Sequence, residues 1–242
     1  MLIHDIFNWL FPKKCLMCGI EVAPDSMFCL KCFSKVTFID YPFCATCGKM
    51  LESSYGDFTD DFLCATCQTY PRYFGKVRSL FQYDDISKNV VMKIKNHADS
   101  FVTRTCAVMI FSRYKDIFRQ ADCLIPVPSH WSRLLKRGFN PADIIAIEFS
   151  KITNLPVYTI LKRTKKTSYQ KGKNICERLN NVRNAFSCPK NNELLGKTII
   201  LVDDVMTTGA TLNECASTLK NYGCLKVFCL TIASTPSYKK YF

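Results

Sequence analysis

The sequence predicts an α/β protein, a mainly parallel sheet with helices on both faces, preceded by a small cysteine-rich domain, and three observations predict it. Four Cys-x-x-Cys pairs crowd the first 67 of 242 residues. Beyond them, apolar runs of strand length alternate with segments of helical period. Finally, the apolar run 198–202 is followed by a turn, a helical segment and another apolar run, the strand-helix-strand order that makes neighbouring strands parallel.

The chain begins with Leu2, Ile3, Ile6, Phe7, Leu10 and Phe11 at helical spacing and His4, Asp5 and Asn8 on another face, which predicts a short amphipathic helix ended by Pro12. Two readings stand for it. It covers the cysteine-rich region or the next domain, or, with Trp9, it makes peripheral contact with a membrane or a partner. Asp5 and Asn8 interrupt the apolar stretch, and Lys13 and Lys14 follow it rather than precede it, which is not a secretory signal. A cytoplasmic protein is expected, with proximity to the inner membrane as the second reading. No run approaches the ~20 apolar residues of a spanning helix.

In a reducing compartment disulfides are disfavoured, so the paired cysteines point to metal. Cys15/Cys18, Cys29/Cys32, Cys44/Cys47 and Cys64/Cys67 share one spacing. Two thiolates two residues apart reach one tetrahedral ion, and two such pairs close a four-sulfur shell with no open position, so two structural Zn²⁺ are expected. Redox-active pairs or an iron–sulfur cluster are the alternatives. Pairing of neighbours gives Cys15, Cys18, Cys29 and Cys32 on one ion and Cys44, Cys47, Cys64 and Cys67 on another; a cross-braced arrangement has the same spacings. Gly19 and Gly48, directly after a pair, suit a knuckle exit. Cys106, Cys123, Cys176, Cys188, Cys215, Cys224 and Cys229 have no metal spacing and are read as small buried residues.

After Cys67, Tyr70-Pro71-Arg72 reads as a linker, which divides the chain into 1–72 and 73–242. The second part predicts a strand over 77–83, a basic helix over 86–97, a longer helix over 101–118 and a buried strand over 124–128 that ends at prolines. A helix over 142–149, a strand over 157–161, the strand 198–202, a helix over 210–222 and a strand over 225–232 follow.

The charge balance is +13, from 33 Lys and Arg against 20 Asp and Glu. Two zinc-thiolate sites, each about −2, lower it to about +9, and a protein this basic meets phosphates. The place for one is Val202-Asp203-Asp204-Val205-Met206-Thr207-Thr208-Gly209-Ala210-Thr211, where a buried strand delivers two carboxylates and then a loop of small residues opens a helix. The loop N–H groups, the hydroxyls of Thr207, Thr208 and Thr211, and the positive helix end suit a phosphate monoester. Asp203 and Asp204 repel phosphate, so ribose hydroxyls are their natural ligand.

This segment resembles the phosphoribosyl pyrophosphate (PRPP) signature of type I phosphoribosyltransferases. With the cysteine pairs, Ile125-Pro126-Val127-Pro128, Arg133, Lys136-Arg137-Gly138-Phe139-Asn140, Gln170, Arg178 and Asn181-Val182, nearly the whole chain is similar to the competence protein F family. The resemblance implies a double zinc ribbon joined to a phosphoribosyltransferase-like domain, acting where bacteria import single-stranded DNA during natural transformation. It implies PRPP binding by residues 205–211, that is Val205, Met206, Thr207, Thr208, Gly209, Ala210 and Thr211, with Asp203 and Asp204 as the catalytic pair. It also places Arg137 and Arg178 on the diphosphate with Mg²⁺. Where the family commonly has Ser-Gly-Leu after the Gln, this chain has Lys171-Gly172-Lys173.

Residues 161–183 carry eight basic side chains against Glu177 alone, either a solvated face or a ligand surface. Lys93, Lys95, Arg133, Lys136, Lys165, Lys166, Lys171 and Lys173 are the candidates for nucleic acid, with Trp131, Phe139 and Tyr169 available for base stacking. Two functions follow from different classes. One is a Mg²⁺-dependent PRPP transferase of unassigned acceptor that supports DNA uptake. The other is a catalytically idle single-stranded-DNA-binding protein, or a module docking a competence helicase or DNA-processing partner, that keeps the PRPP fold.

Overall fold

A computed structural model describes residues 12–51, 59–164, 184–189 and 192–236. The expected N-terminal helix and Lys165, Lys166, Tyr169, Lys171, Lys173, Cys176 and Arg178 lie outside the described residues. The cysteine-rich region carries two single-turn helices, α1 (Leu30–Phe33) and α2 (Ala65–Thr69). Then follow β1 (Lys76–Gln82), α3 (Asp85–His97), α4 (Ser100–Arg113), α5 (Lys115–Arg119) and β2 (Cys123–Pro126). The chain continues with α6 (Trp131–Arg137), α7 (Pro141–Thr153), β3 (Lys162–Arg163), β4 (Phe186–Ser187), β5 (Thr198–Met206), α8 (Ala210–Asn221) and β6 (Lys226–Ser234).

Four strands form a parallel sheet in the order β1-β6-β5-β2, and β3 and β4 form a separate antiparallel pair. Side chains of a strand alternate between faces. On β5, Ile200 and Val202 pack with Val90, Val91 and Ile94 of α3, Cys106 and Ile110 of α4 and Ile145 and Phe149 of α7. Ile199 and Leu201 pack on the other face with Leu212, Cys215 and Leu219 of α8. The α/β class with helices on both faces is therefore as the sequence predicts.

Three of the differences from expectation have their cause in the packing. The single helix expected over 101–118 is broken at Tyr114 (φ −126°, ψ 36°), where Tyr114 donates to the Ser79 carbonyl at 3.2 Å and Arg113 pairs with Asp40. The break has no proline or glycine to announce it; it comes from contacts distant in sequence. The strand expected over 157–161 makes one parallel bridge, Leu124 with Val157, with Tyr158 N–H donating to the Leu124 carbonyl at 2.9 Å. Pro156 has no N–H with which to extend that ladder. Third, β5 runs to Met206 rather than Val202 because β6 stays beside it, pairing Asp203 with Thr231 and Met206 with Ser234.

The cysteine-rich region lies along β1. Phe38 bridges Phe81 antiparallel, Ile39 N–H donates to the Leu80 carbonyl at 3.0 Å, and Gln82 N–H donates to the Thr37 carbonyl at 2.9 Å. Val77 N–H reaches the Thr46 carbonyl at 2.7 Å. The first ribbon, through Cys15, Met27 and Phe28, joins the buried layer of α3, α4 and α7; the second, through Cys44, Cys47 and Cys67, joins the layer of α8. The contact is close enough that a Cβ on Gly48 (φ +66°) would stand 2.3 Å from the Val77 carbonyl oxygen, so glycine is required there for space as well as for conformation.

Candidate functional site

All four sheet strands run the same way, so the C-terminal ends of β2 and β5 open at one edge of the sheet, where α/β proteins bind ligands. Asp203 and Asp204 stand on β5 there. Alternation sends them to opposite faces. Asp204 follows Val202 to the α3 side, where Lys95 Nζ meets its carboxylate at 3.1 Å. Asp203 follows Leu201 to the α8 side and accepts from the Asp204 N–H at 2.8 Å. Burial, then the neighbouring Asp204 charge, pushes the Asp203 carboxyl up to about 7, opposed by Lys95 and Arg163.

Arg163 of β3 is half-buried and lies over the Phe186 ring, 5.5 Å from its centroid. Burial, and then the charge of Arg133, lowers its pKa, while Asp203 raises it, so Arg163 stands in the field of both Arg133 and Asp203. The sequence marks Arg163 only as one member of a basic run. Its pairing with β4, which the apolar pattern does not show, is what brings it to Asp203.

The expected phosphate loop is a loop in fact. Gly209 caps α8 in the left-handed region (φ +75°), and Thr208 Oγ1 accepts from the Ala210 N–H at 3.4 Å. The Met206 carbonyl accepts from Thr235 N–H at 2.9 Å, and the Thr207 carbonyl accepts from Thr235 Oγ1 at 3.2 Å. With these carbonyls engaged, the N–H groups of the loop and of the first turn of α8, apart from that of Ala210, are left for an anion.

The remaining candidates are spread. α6, which the apolar pattern does not predict, leaves from the end of β2 and carries exposed Trp131, Arg133 and Lys136 and half-buried Arg137. Its exit is held by Asn140, whose side-chain N–H groups donate to the Val127 carbonyl at 3.0 Å and to Asp143 at 2.8 Å. Phe139 is half-buried beside it. Lys93 is exposed on α3 and makes no contact with the acidic pair, whereas Lys95 does: two residues along a helix place them on different faces.

The cysteines assemble as neighbours, not cross-braced. The sulfurs of Cys15, Cys18, Cys29 and Cys32, and those of Cys44, Cys47, Cys64 and Cys67, each lie within 4.8 Å of one another. Cys18 to Cys29 and Cys47 to Cys64 are 3.7 Å apart. A tetrahedral ion with Zn–S of about 2.3 Å sets its sulfurs about 3.8 Å apart, so the geometry fits zinc. It is far from the ~2.05 Å of a disulfide. Hydrogen bonds from Cys47, Cys64 and Cys67 hold the Cys44 thiol well below the ordinary range, and the contact with Cys44 pushes Cys47 and Cys67 above it, so without a cation the four sulfurs share protons that metal binding would displace. The other described cysteines, Cys106, Cys123, Cys188, Cys215, Cys224 and Cys229, are buried, as expected of packing residues. Among the described residues, no helix is long and apolar enough to cross a membrane.

Comparison with known proteins agrees with both halves. A double zinc ribbon domain family matches residues 6–68, and a phosphoribosyl transferase domain family matches residues 102–241. Competence protein F of Haemophilus influenzae is 28% identical over 88% of this chain and 93% of its own length. Competence protein ComFC of Bacillus subtilis is 28% identical over 86% of this chain and 89% of its own. The DNA utilization protein YhgH of Shigella flexneri is 24% identical over 90% and 96%.

Proposed function

The chain belongs to the phosphoribosyl transferase domain family, with a double zinc ribbon ahead of that domain, and from this premise we propose that it binds PRPP with Mg²⁺ and serves the use of imported DNA in competence. The observation that carries the reading is the end of β5: a half-buried acidic pair with two cations beside it, continuous with a loop whose carbonyls are engaged and whose N–H groups, apart from that of Ala210, are left for a ligand. The names of the relatives, two competence proteins and a DNA utilization protein, carry the biological role.

In this reading the loop 207–211 and the first turn of α8 hold the 5′-phosphate, where backbone donors and the helix dipole act without a cation. Asp203 and Asp204 accept from the ribose hydroxyls. Lys95 neutralises Asp204 until the sugar arrives, so sugar binding replaces an ion pair rather than filling an open charge. Arg133, Arg137 and Arg163, with Arg178 from outside the described residues, are the cations for the diphosphate, and Mg²⁺ supplies further charge neutralisation there. Departure of pyrophosphate from C1 needs positioning and charge stabilisation, not a protein nucleophile. The acceptor is unassigned.

Calorimetric titration of PRPP into the zinc-loaded protein, with Mg²⁺ and again with chelator, tests the reading. Mg²⁺-assisted binding that Asp203→Asn and Asp204→Asn abolish supports it; absence of heat in the wild type rejects it. A second reading, single-stranded-DNA binding without catalysis, draws on α6, where a 60% exposed Trp131 stands beside Arg133 and Lys136. A labelled strand titrated at two salt concentrations tests it, since phosphate contacts predict a steep loss with salt.

A further inference from the structure

Three consecutive residues between the second ribbon and β1 touch the loop after β5 or the helix that it opens. Arg72 Nη2 donates to the Thr208 carbonyl at 3.4 Å. Tyr73 N–H donates to Asn213 Oδ1, on the first turn of α8, at 2.8 Å. The Phe74 ring lies under Gly209, 3.7 Å from where a Cβ would stand, and Arg72 sits above that ring at 5.9 Å. The opposite side of the loop is held by Thr235. The carbonyls of Met206, Thr207 and Thr208 are thus all engaged, and the one that precedes Gly209 is engaged by a residue of the linker.

A guanidinium on a peptide carbonyl fixes the plane of that peptide and polarises it, which strengthens the following N–H as a donor. It also sets positive charge behind the loop. Arg72 Nε and Nη1 are buried without a hydrogen-bond partner among the described residues, which leaves the guanidinium charge little screened where Nη2 meets the Thr208 carbonyl. The linker is itself anchored by the second ribbon: Cys67 lies on α2, five residues before Arg72, and Cys67, Phe74 and Met206 share one buried layer.

We infer that Arg72 is a positioning residue of the phosphate loop, so that the ribbon linker completes the 5′-phosphate subsite and metal loading of the second ribbon is coupled to phosphate affinity. The inference rests on the PRPP reading above. Coupling of this kind is reciprocal: if the loaded ribbon favours the ligand, the ligand favours the loaded ribbon.

The test uses the full-length, zinc-loaded protein with ribose 5-phosphate, PRPP and Mg²⁺-pyrophosphate as probes. Arg72→Ala is expected to weaken ribose 5-phosphate and PRPP by the same factor, roughly five- to tenfold, and to leave Mg²⁺-pyrophosphate unchanged. In the wild type, ribose 5-phosphate is expected to slow the release of zinc to a chelator, and in Arg72→Ala it is expected not to. Arg72→Lys, which keeps the charge without the planar fork, recovers part of the affinity and carries the same comparison if the alanine variant does not retain both metals. A variant that binds ribose 5-phosphate like the wild type overturns the inference, as does an equal loss on all three probes, which marks general damage. A wild type that binds no PRPP overturns the functional reading itself, a result distinct from either.

Discussion

Asp203 shows how much a single position gains from its surroundings. Its carboxyl is pushed up to about 7 by burial and by Asp204, from an ordinary 3.8. The folded protein therefore holds a proton that the unfolded chain releases between those values, so stability falls as pH rises through that window and levels above it. Asp203→Asn removes this contribution. Its unfolding midpoint in denaturant is expected to vary less with pH than the wild type's between about pH 4 and 7, where one proton is worth up to about 1.4 kcal/mol per pH unit. Ribose hydroxyls require the ionised carboxylate as acceptor, so PRPP affinity measured by calorimetry is expected to drop below about pH 7. The place of the acidic pair and the loop at a strand end was legible because they are contiguous in sequence and directly follow one apolar run. Lys95, Arg163 and Arg72 were not legible as partners. Each comes from a distant segment, and nothing in a lysine or arginine among 33 basic residues says which one folds back onto Asp203, Asp204 or Thr208.

At the scale of elements, the period of apolar residues foretold the strands and helices that a single layer buries and missed those decided by neighbours. α3 is announced by its apolar positions, and its start is secured by Asp84, which accepts from the Ile86 and Ser87 N–H groups at 3.0 and 2.8 Å. α6 buries no residue, so it has no apolar period to read. The ribbons are the most legible elements, because four identical spacings of a ligating residue serve little besides metal binding. Elemental analysis of the purified protein is expected to find about two zinc ions per chain, and Cys47→Ser to leave about one. The fit of the second knuckle against β1 is equally specific. Gly48→Ala is expected to cost ~2 kcal/mol or more, read as a lowered unfolding midpoint, since it adds a clash with the Val77 carbonyl to the strain of a positive φ. Gly19→Ala meets nothing within 4 Å and is expected to cost only the strain, about 1 kcal/mol.

Over the whole molecule, composition suggested two units that meet at a linker, whereas in the packing the cysteine-rich region and the sheet share their buried layers. Each ribbon contributes to a different buried layer of the sheet, and β1 carries Arg78 into the second knuckle, where its Nη1 donates to the Ala45 carbonyl at 3.0 Å and its guanidinium lies 4.6 Å from the Phe43 ring. Sequence pattern cannot show this, because a cysteine that binds metal and also packs against a strand reads the same as one that only binds metal. Metal removal is accordingly expected to lower the thermal midpoint of the entire protein in one transition, rather than to melt the ribbons alone. Calorimetric scans with and without chelator distinguish the two.

The segment that carries Phe38 and Ile39 along β1 has a further consequence for how the protein survives in a crowded cell. β1 is the last strand on its side of the sheet, and it is apolar, with Val77, Leu80 and Phe81 fully buried. An uncovered strand of that kind is an open template on which another chain can add its own strand. The ribbon segment occupies the outer edge of that template and, by the antiparallel bridge at Phe81, ends the sheet. The ribbon segment thus covers an edge as well as completing the fold. A chain that loses metal, or one begun after residue 72, is expected to self-associate through β1, seen as a rise in mass by light scattering, and Gln82→Lys is expected to slow that association by placing a charge on the bared edge.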